Sequence, residues 1–279
     1  AVCADASEGV AQVAMQEGVL QITPASVNLD LTLDGEGEVR PLVFRVPFVD
    51  PTQGTAMAKF ALENLGAERV AVLYAEGSSY GGALADAFEQ AFEASDGEIV
   101  ARETYDQDSE SFFDVLDIVR EVSPDVIYVP GYYTIANRLV PQARAFGLSQ
   151  IILGSDGWDS PDLRLDNVNR CYFTSHYFPQ EPCTAVEMWI KTYEARYIVQ
   201  PDALATLSYD ATNMLFSAIV EAGTTAPQLV AATMETMTFD AVSGEITFDE
   251  AHNPIKPILL LKAQDGQVLF VERIVLDVE

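Results

Sequence analysis

From Val43 to Leu153 the chain alternates short apolar runs with amphipathic stretches, and this alternation limits the fold more than any other feature. Val43-Phe44-Arg45-Val46, Val70-Ala71-Val72-Leu73, Ile99–Tyr105, Val126-Ile127-Tyr128-Val129 and Ile151-Ile152-Leu153 read as strands. Between them, Thr55–Leu65, Tyr80–Ala94, Phe112–Val122 and 135–146 carry apolar residues at helical spacing, with Met57, Phe60, Ala61 and Leu65 on one face of the first. Strand-helix-strand order of this kind predicts a parallel sheet covered on both faces. Pro141 inside the fourth helix predicts a kink or a late start. Gly18–Thr23 reads as a short strand ending at Pro24, and the residues before it as a loop and helix with no leading strand. Beyond residue 184 three helices are expected, over 185–197, 204–222 and 227–237. Near the end, 257–261 and 267–275 flank Asp265-Gly266, a hairpin signal.

Ligands of open parallel sheets gather outside the carboxyl ends of the strands. Two such ends carry chemistry here. Gly131-Tyr132-Tyr133 follows the run at 126–129, and Gly154-Ser155-Asp156-Gly157-Trp158 follows the run at 151–153. Tyrosines, a tryptophan and one acid suit a small molecule bearing an amino group. Each residue also has a plain structural role open to it: Asp156 as a loop carboxylate, Trp158 as a core anchor, Asp159 as a helix cap. Their convergence at adjacent strand ends favours a site.

The charge excludes several classes. Against 43 acidic residues stand 15 basic ones, four of them lysines, for a net charge of −28. Such a surface repels nucleic acid and anionic lipid heads alike, and it is compatible with a high-salt habitat as well as with an ordinary acidic protein. Apolar residues make up 49% of the chain, enough for a substantial core. No apolar run of membrane-spanning length occurs, and the first residues lack the basic and apolar regions of a signal peptide.

Three further patterns bear on chemistry. Gly77-Ser78-Ser79-Tyr80-Gly81 fits the nucleophile-elbow pattern, and Ser79, Asp156 and His252 follow one another in the hydrolase order. Against it, Ala75-Glu76 separates the strand from the turn, and no His-Gly-Gly oxyanion segment is present. His176 and His252 are the only histidines and do not make a zinc spacing, and no nucleotide-binding fingerprint occurs, so neither a metal nor a cofactor is expected. Cys171 and Cys183 flank a short proline-bearing segment, where a disulfide would close a loop worth roughly 3 kcal/mol; two reduced thiols are the alternative. Cys3 has no evident partner.

Several stretches in order resemble one family: Cys3-Ala4-Asp5-Ala6-Ser7, Ile22-Thr23-Pro24-Ala25-Ser26, Arg69–Tyr74, Ser79-Tyr80-Gly81, Gly131-Tyr132-Tyr133, Gly154–Trp158, Ser208-Tyr209-Asp210-Ala211 and Gly244–Asp249. The chain resembles the extracytoplasmic solute-binding proteins of branched-chain amino acid (Leu/Ile/Val-type) ABC transporters. The resemblance implies an α/β fold of the periplasmic-binding-protein-like type I, two lobes each with a parallel sheet, hinged by three crossovers near Arg45–Phe48, Thr174–Tyr177 and Phe248–Asp249. Lobe 1 is expected over 1–46 and 178–249, lobe 2 over 47–177 and 250–279. It implies ligand contacts from Tyr80, Tyr132 and Asp156 in lobe 2, with Trp158 beside them, and from Ala4, Ala25 and Ser26 in lobe 1. Ala4 and Val27 stand where such proteins carry hydroxyls for an α-carboxylate. The implied function is delivery of a small amphipathic ligand to an ABC permease by hinge closure, outside the cytoplasm and with no bond made or broken; the serine hydrolase and a ligand-sensing receptor domain are the alternatives. Similar proteins begin with two further β-α units, roughly 70 residues on typical unit sizes, which include a partner for the cysteine at position 3. A bare sheet edge beside Val19–Thr23 is expected without them.

Overall fold

The computed structural model describes residues 4–276. The chain forms α1 (Ala4–Glu17), β1 (Gln21–Thr23), β2 (Val43–Arg45), α2 (Asp50–Glu63), β3 (Arg69–Ala75), α3 (Ser79–Glu93), β4 (Glu98–Tyr105), α4 (Phe113–Val122), β5 (Val126–Tyr128), α5 (Tyr133–Ala145), β6 (Ile151–Leu153) and β7 (Cys171–Ser175). It continues with α6 (Thr184–Tyr197), α7 (Ala203–Ala222), α8 (Pro227–Met234), β8 (Phe239–Ala241), β9 (Gly244–Phe248), β10 (Pro254–Ile255), β11 (Ile258–Gln264) and β12 (Gln267–Ile274). Among the described residues no helix is long and apolar enough to cross a membrane.

Two compact units result. Unit 1 holds the residues up to Val49 together with His176–Pro257, and unit 2 holds Asp50–Ser175 and Ile258–Leu276. The chain therefore passes between them at 49/50, 175/176 and 257/258. The third passage lies later than expected, and residues 250–257 belong to unit 1 rather than to the second lobe. The reason is local. β10 pairs antiparallel with β9, Pro254 opposite Phe248 and Ile255 opposite Thr247, and His252 stacks on Phe44 of β2 at 4.0 Å.

Unit 2 is built on seven strands in the order β12-β11-β7-β6-β5-β3-β4. From β7 to β4 the neighbours are parallel, as the βα alternation requires. β11 and β12 run antiparallel, so the sheet is mixed where a wholly parallel one was expected. A two-residue turn can only return a strand antiparallel. Asp265 and Gly266 supply it, both at positive φ, 53° and 75°. The core strand β3 buries Val70–Leu73 completely, and Phe88 of α3 stacks on Tyr128 of β5 at 4.3 Å. α2 and α3 pack so closely at Gly54 that a Cβ there would lie 2.7 Å from the Leu84 carbonyl oxygen. α5 runs through Pro141 without ending.

Unit 1 combines a parallel pair, β1 with β2, and a three-stranded antiparallel sheet, β10-β9-β8. A parallel pair and a separate antiparallel sheet thus stand where one parallel sheet was expected. Its core gathers Phe44 and Val46 with Leu207, Met214 and Ala218 of α7, Val230 and Met234 of α8, and Ile246 and Phe248 of β9. Asp210, 1% exposed, holds the β8-β9 turn, its two carboxylate oxygens accepting the amides of Val242 at 2.9 Å and Ser243 at 3.0 Å. α1 is tied down by Glu8, whose carboxylate receives both terminal nitrogens of Arg40, at 2.6 and 2.8 Å. Val19, before β1, is 54% exposed.

Candidate functional site

The carboxyl ends of β3, β5, β6 and β7 lie side by side in unit 2. β3 has β4 on one side and β5 on the other, so the chain reverses its direction of travel there. This is the switch point at which open α/β sheets leave a crevice. Tyr80 follows β3, Tyr132 follows β5, Asp156 follows β6, and Thr174 lies within the last residues of β7.

Each loop is shaped by its own sequence. Ser78 caps α3, accepting the Gly81 amide at 3.0 Å, which places Tyr80 in the first turn. The loops after β5 and β6 are clipped together by Ser155, whose hydroxyl donates to the Gly131 carbonyl at 2.9 Å and accepts the Gly131 amide at 3.0 Å. After Gly154 and Ser155 the chain enters a short 3-10 turn, Asp156–Trp158. Gly154 is obligatory, since a Cβ would stand 2.3 Å from the Trp158 indole. The indole is fully buried beneath the turn, 6.4 Å from the Phe173 ring. Trp158 is therefore the core anchor of the Asp156 turn and not part of an exposed aromatic wall.

Asp156 is held from two directions. Gln53, fully buried on α2, donates through Nε2 to Asp156 Oδ1 at 2.8 Å and accepts the Asp156 amide on Oε1 at 2.8 Å. The same Oε1 accepts the Thr174 hydroxyl at 2.7 Å. From the other side the Tyr80 hydroxyl donates to Asp156 Oδ1 and accepts the Gly157 amide at 3.1 Å. Burial first, then the Asp156 carboxylate, pushes the Tyr80 phenol far above its ordinary range, so it stays a donor at any working pH. Asp50 adds a second negative charge that acts on Tyr80 and Tyr128 in the same direction. Tyr132, 48% exposed, stacks on Tyr80 at 5.1 Å. The result is a fixed carboxylate bordered by a tyrosine pair, in a field that favours cations.

Tyr80, Tyr132 and Asp156, expected from the sequence, are joined here by Gln53, Ser155 and Thr174, which were not. Of the residues expected in unit 1, Ala25 and Ser26 follow β1, and both their amides point to the Thr23 hydroxyl, at 3.4 and 3.2 Å. Ser26 is 2% exposed, and its hydroxyl has no hydrogen-bond partner among the described residues. Ala4 opens α1; its side chain, and Cys3 altogether, lie outside the described residues.

Two expectations fail. Cys171 and Cys183 are free thiols, not a disulfide. The chain passage at 175/176 separates them, placing Cys171 on β7 of unit 2 and Cys183 before α6 of unit 1. Burial pushes the Cys171 thiol up to about 12. The hydrolase constellation is not assembled either. Ser79 is an exposed first-turn residue of α3. His252 is buried in unit 1 with Nδ1 against the Val43 carbonyl at 3.0 Å and Nε2 against Glu235 at 3.2 Å, so both ring nitrogens are committed. Among the described residues no group of three or more His, Cys, Asp or Glu is placed to hold a metal ion.

Known proteins resemble this chain along most of its length. The family profile described as "Periplasmic binding protein" matches residues 1–267. The Leu/Ile/Val-binding protein homolog 3 of Brucella melitensis is 25% identical over 269 residues, 94% of this chain and 71% of that protein. The crystal structure of the leucine binding protein LivK from Thermotoga maritima superposes with a TM-score of 0.85 at 33% identity, over 99% of this chain and 78% of that one. The substrate-binding protein LivJ of Streptococcus pneumoniae, solved in complex with isoleucine, gives a TM-score of 0.83 at 26% identity, covering 98% and 78%.

Proposed function

Because the chain belongs to the periplasmic binding protein family, we propose that its Asp156 carboxylate takes the ammonium group of a branched-chain amino acid or a closely related amine. The protein is a solute-binding protein of the ABC transporter class and not an enzyme. In our reading it works outside the cytoplasm and hands its solute to the membrane subunits of an ABC permease, and the three chain passages at 49/50, 175/176 and 257/258 carry the closing motion.

The observation behind the ligand assignment is the double tether of Asp156. Gln53 and Tyr80 fix the carboxylate before any solute arrives, and the stacked Tyr80 and Tyr132 rings border it. Preorganisation of this kind lowers the ordering cost of binding, and a cation beside both a carboxylate and aromatic rings gains from each. In unit 1, the Ser26 hydroxyl is buried and has no hydrogen-bond partner among the described residues. Calorimetry with leucine, isoleucine and valine, and with analogues lacking either charge, tests the reading. Loss of the amino group should abolish binding, while loss of the carboxylate should weaken it less. An analogue without nitrogen that binds as tightly as leucine would refute it.

A further inference from the structure

Unit 1 carries a concavity that involves none of the residues around Asp156. It measures about 590 Å3 and lies between α6, α7 and the β8-β9 hairpin. α6 contributes Met188 and Trp189, α7 contributes Tyr209 and Asp210, and β8 contributes Phe239 and Asp240. The walls are stiff. Trp189 stacks on Tyr209 at 4.1 Å and 28°, and its Nε1 donates to Thr206 Oγ1 at 2.9 Å, which fixes the plane of the indole. The aromatic series runs on through Tyr193, 5.0 Å from Trp189, to Tyr197, a further 4.6 Å away. The rim is apolar and open: Met188 is 65% and Tyr209 42% exposed.

Its charge is one-sided. No lysine or arginine is among the described residues that line it, whereas two aspartates are. Asp210 spends both oxygens on the hairpin amides, so its charge is fixed in place beneath the cavity. Asp240 is exposed at the mouth. A volume of this size is that of a small-molecule site. Aromatic faces, a thioether and two carboxylates without a basic residue are the chemistry that attracts an apolar cation.

We propose that this cavity is a second binding site, for an organic ammonium ion carrying an apolar or aromatic body, independent of the solute wall in unit 2. The net charge of −28 raises the local concentration of such ions at low salt. The chain has two tryptophans, of which Trp158 is fully buried in unit 2, so a ligand in the cavity reports through Trp189.

The test titrates the whole chain with phenethylamine and with its neutral counterpart 2-phenylethanol, following tryptophan emission. Saturable quenching by the amine is expected, at least tenfold tighter than by the alcohol. Tyr209→Ala should weaken it at least tenfold. Met188→Lys, at an exposed position where folding is not at risk, should weaken the amine at least fivefold and leave the alcohol unchanged. Asp156→Asn should leave the titration as it is. Absence of saturation, equal response to amine and alcohol, or a response that survives Met188→Lys but disappears in Asp156→Asn would each overturn the proposal. The last of these would move the amine to the unit 2 wall without touching the function proposed for that wall.

Discussion

Gln53→Met isolates the amide that holds Asp156. Methionine keeps the length and approximate volume of the side chain, so the apolar packing of α2 survives and only the polar contacts are lost. Three are removed: the donation to Asp156 Oδ1 and the two acceptances on Oε1, from the Asp156 amide and the Thr174 hydroxyl. A bond to a carboxylate contributes about 1.5–3 kcal/mol and a neutral one about 1 kcal/mol. Thr174 is fully buried and loses its partner outright. Asp156 is half-buried, so water replaces part of what it loses. The expected cost is about 3 kcal/mol, or a fall in Tm of roughly 6–12 °C for a body of this size. Calorimetric melting and urea titration measure it. A loss below about 1 kcal/mol would show that the amide is not what fixes the carboxylate. Gln53→Glu supplies the sign. It keeps an acceptor for the Asp156 amide and Thr174 but sets a second carboxyl against Asp156. Like charges raise the affinity of that pair for a proton above the ordinary carboxyl value of about 4.3. The folded variant then binds a proton more tightly than the unfolded one, so its deficit against the native protein should shrink as pH falls from 7 toward 5. A deficit independent of pH would contradict the geometry.

Four further outcomes are expected. Asp156→Ala should weaken binding of an amine-bearing solute by about 2 kcal/mol or more in calorimetry, whereas unchanged affinity would remove Asp156 from the site. Gly154→Ala drives a methyl group into the Trp158 indole and should shift its emission and destabilise unit 2 by about 1–3 kcal/mol, the usual cost of overpacking; a native-like melt would deny the close approach. Alkylation followed by peptide mass spectrometry, without reductant, should label Cys183 in the native protein and Cys171 only after unfolding, because Cys171 is buried and its thiol is pushed up to about 12; a linked peptide pair would restore the disulfide. Arg40 holds the Glu8 carboxyl below its ordinary value by hydrogen bonding, so the pair's contribution is complete above pH about 4.3 and lost as pH falls through the lower folded value; Glu8→Gln should flatten that part of the acid-unfolding curve, and an unchanged curve would show the pair to be idle.

What could be read in the sequence was whatever depends on period and order. The strand and helix alternation from β2 to β6, and the hairpin at Asp265-Gly266, follow from local pattern and emerged in place. Gln53 escaped because a glutamine near a helix start resembles any solvated position. Its signal was its register: it lies four residues before Met57 and seven before Phe60, on the buried stripe of α2. Trp158 was ambiguous because one residue type serves both as wall and as anchor, and only the contact with Gly154 decides between them. The Cys171 and Cys183 pairing failed for another reason. Short separation along a chain implies proximity only within one folded body, and a passage between bodies intervenes at 175/176. The same passage logic misassigned residues 250–257, since the two-residue strand β10 is too short to announce itself.

The interleaving of the two units has a consequence for how the protein is made. β11 docks beside β7, yet it is synthesised more than eighty residues later, after α6, α7, α8 and the β8-β9 hairpin have left the ribosome. Until then β7, whose residues are largely buried in the finished sheet, presents an unsatisfied edge of the kind that recruits other strands. Domains that emerge complete can fold as they are synthesised. This one cannot finish its larger sheet until β11 and β12 have been made. The nascent chain is exposed to mispairing over that interval, and the protein's yield in the cell should depend on elongation speed and on chaperone supply more than its final stability suggests.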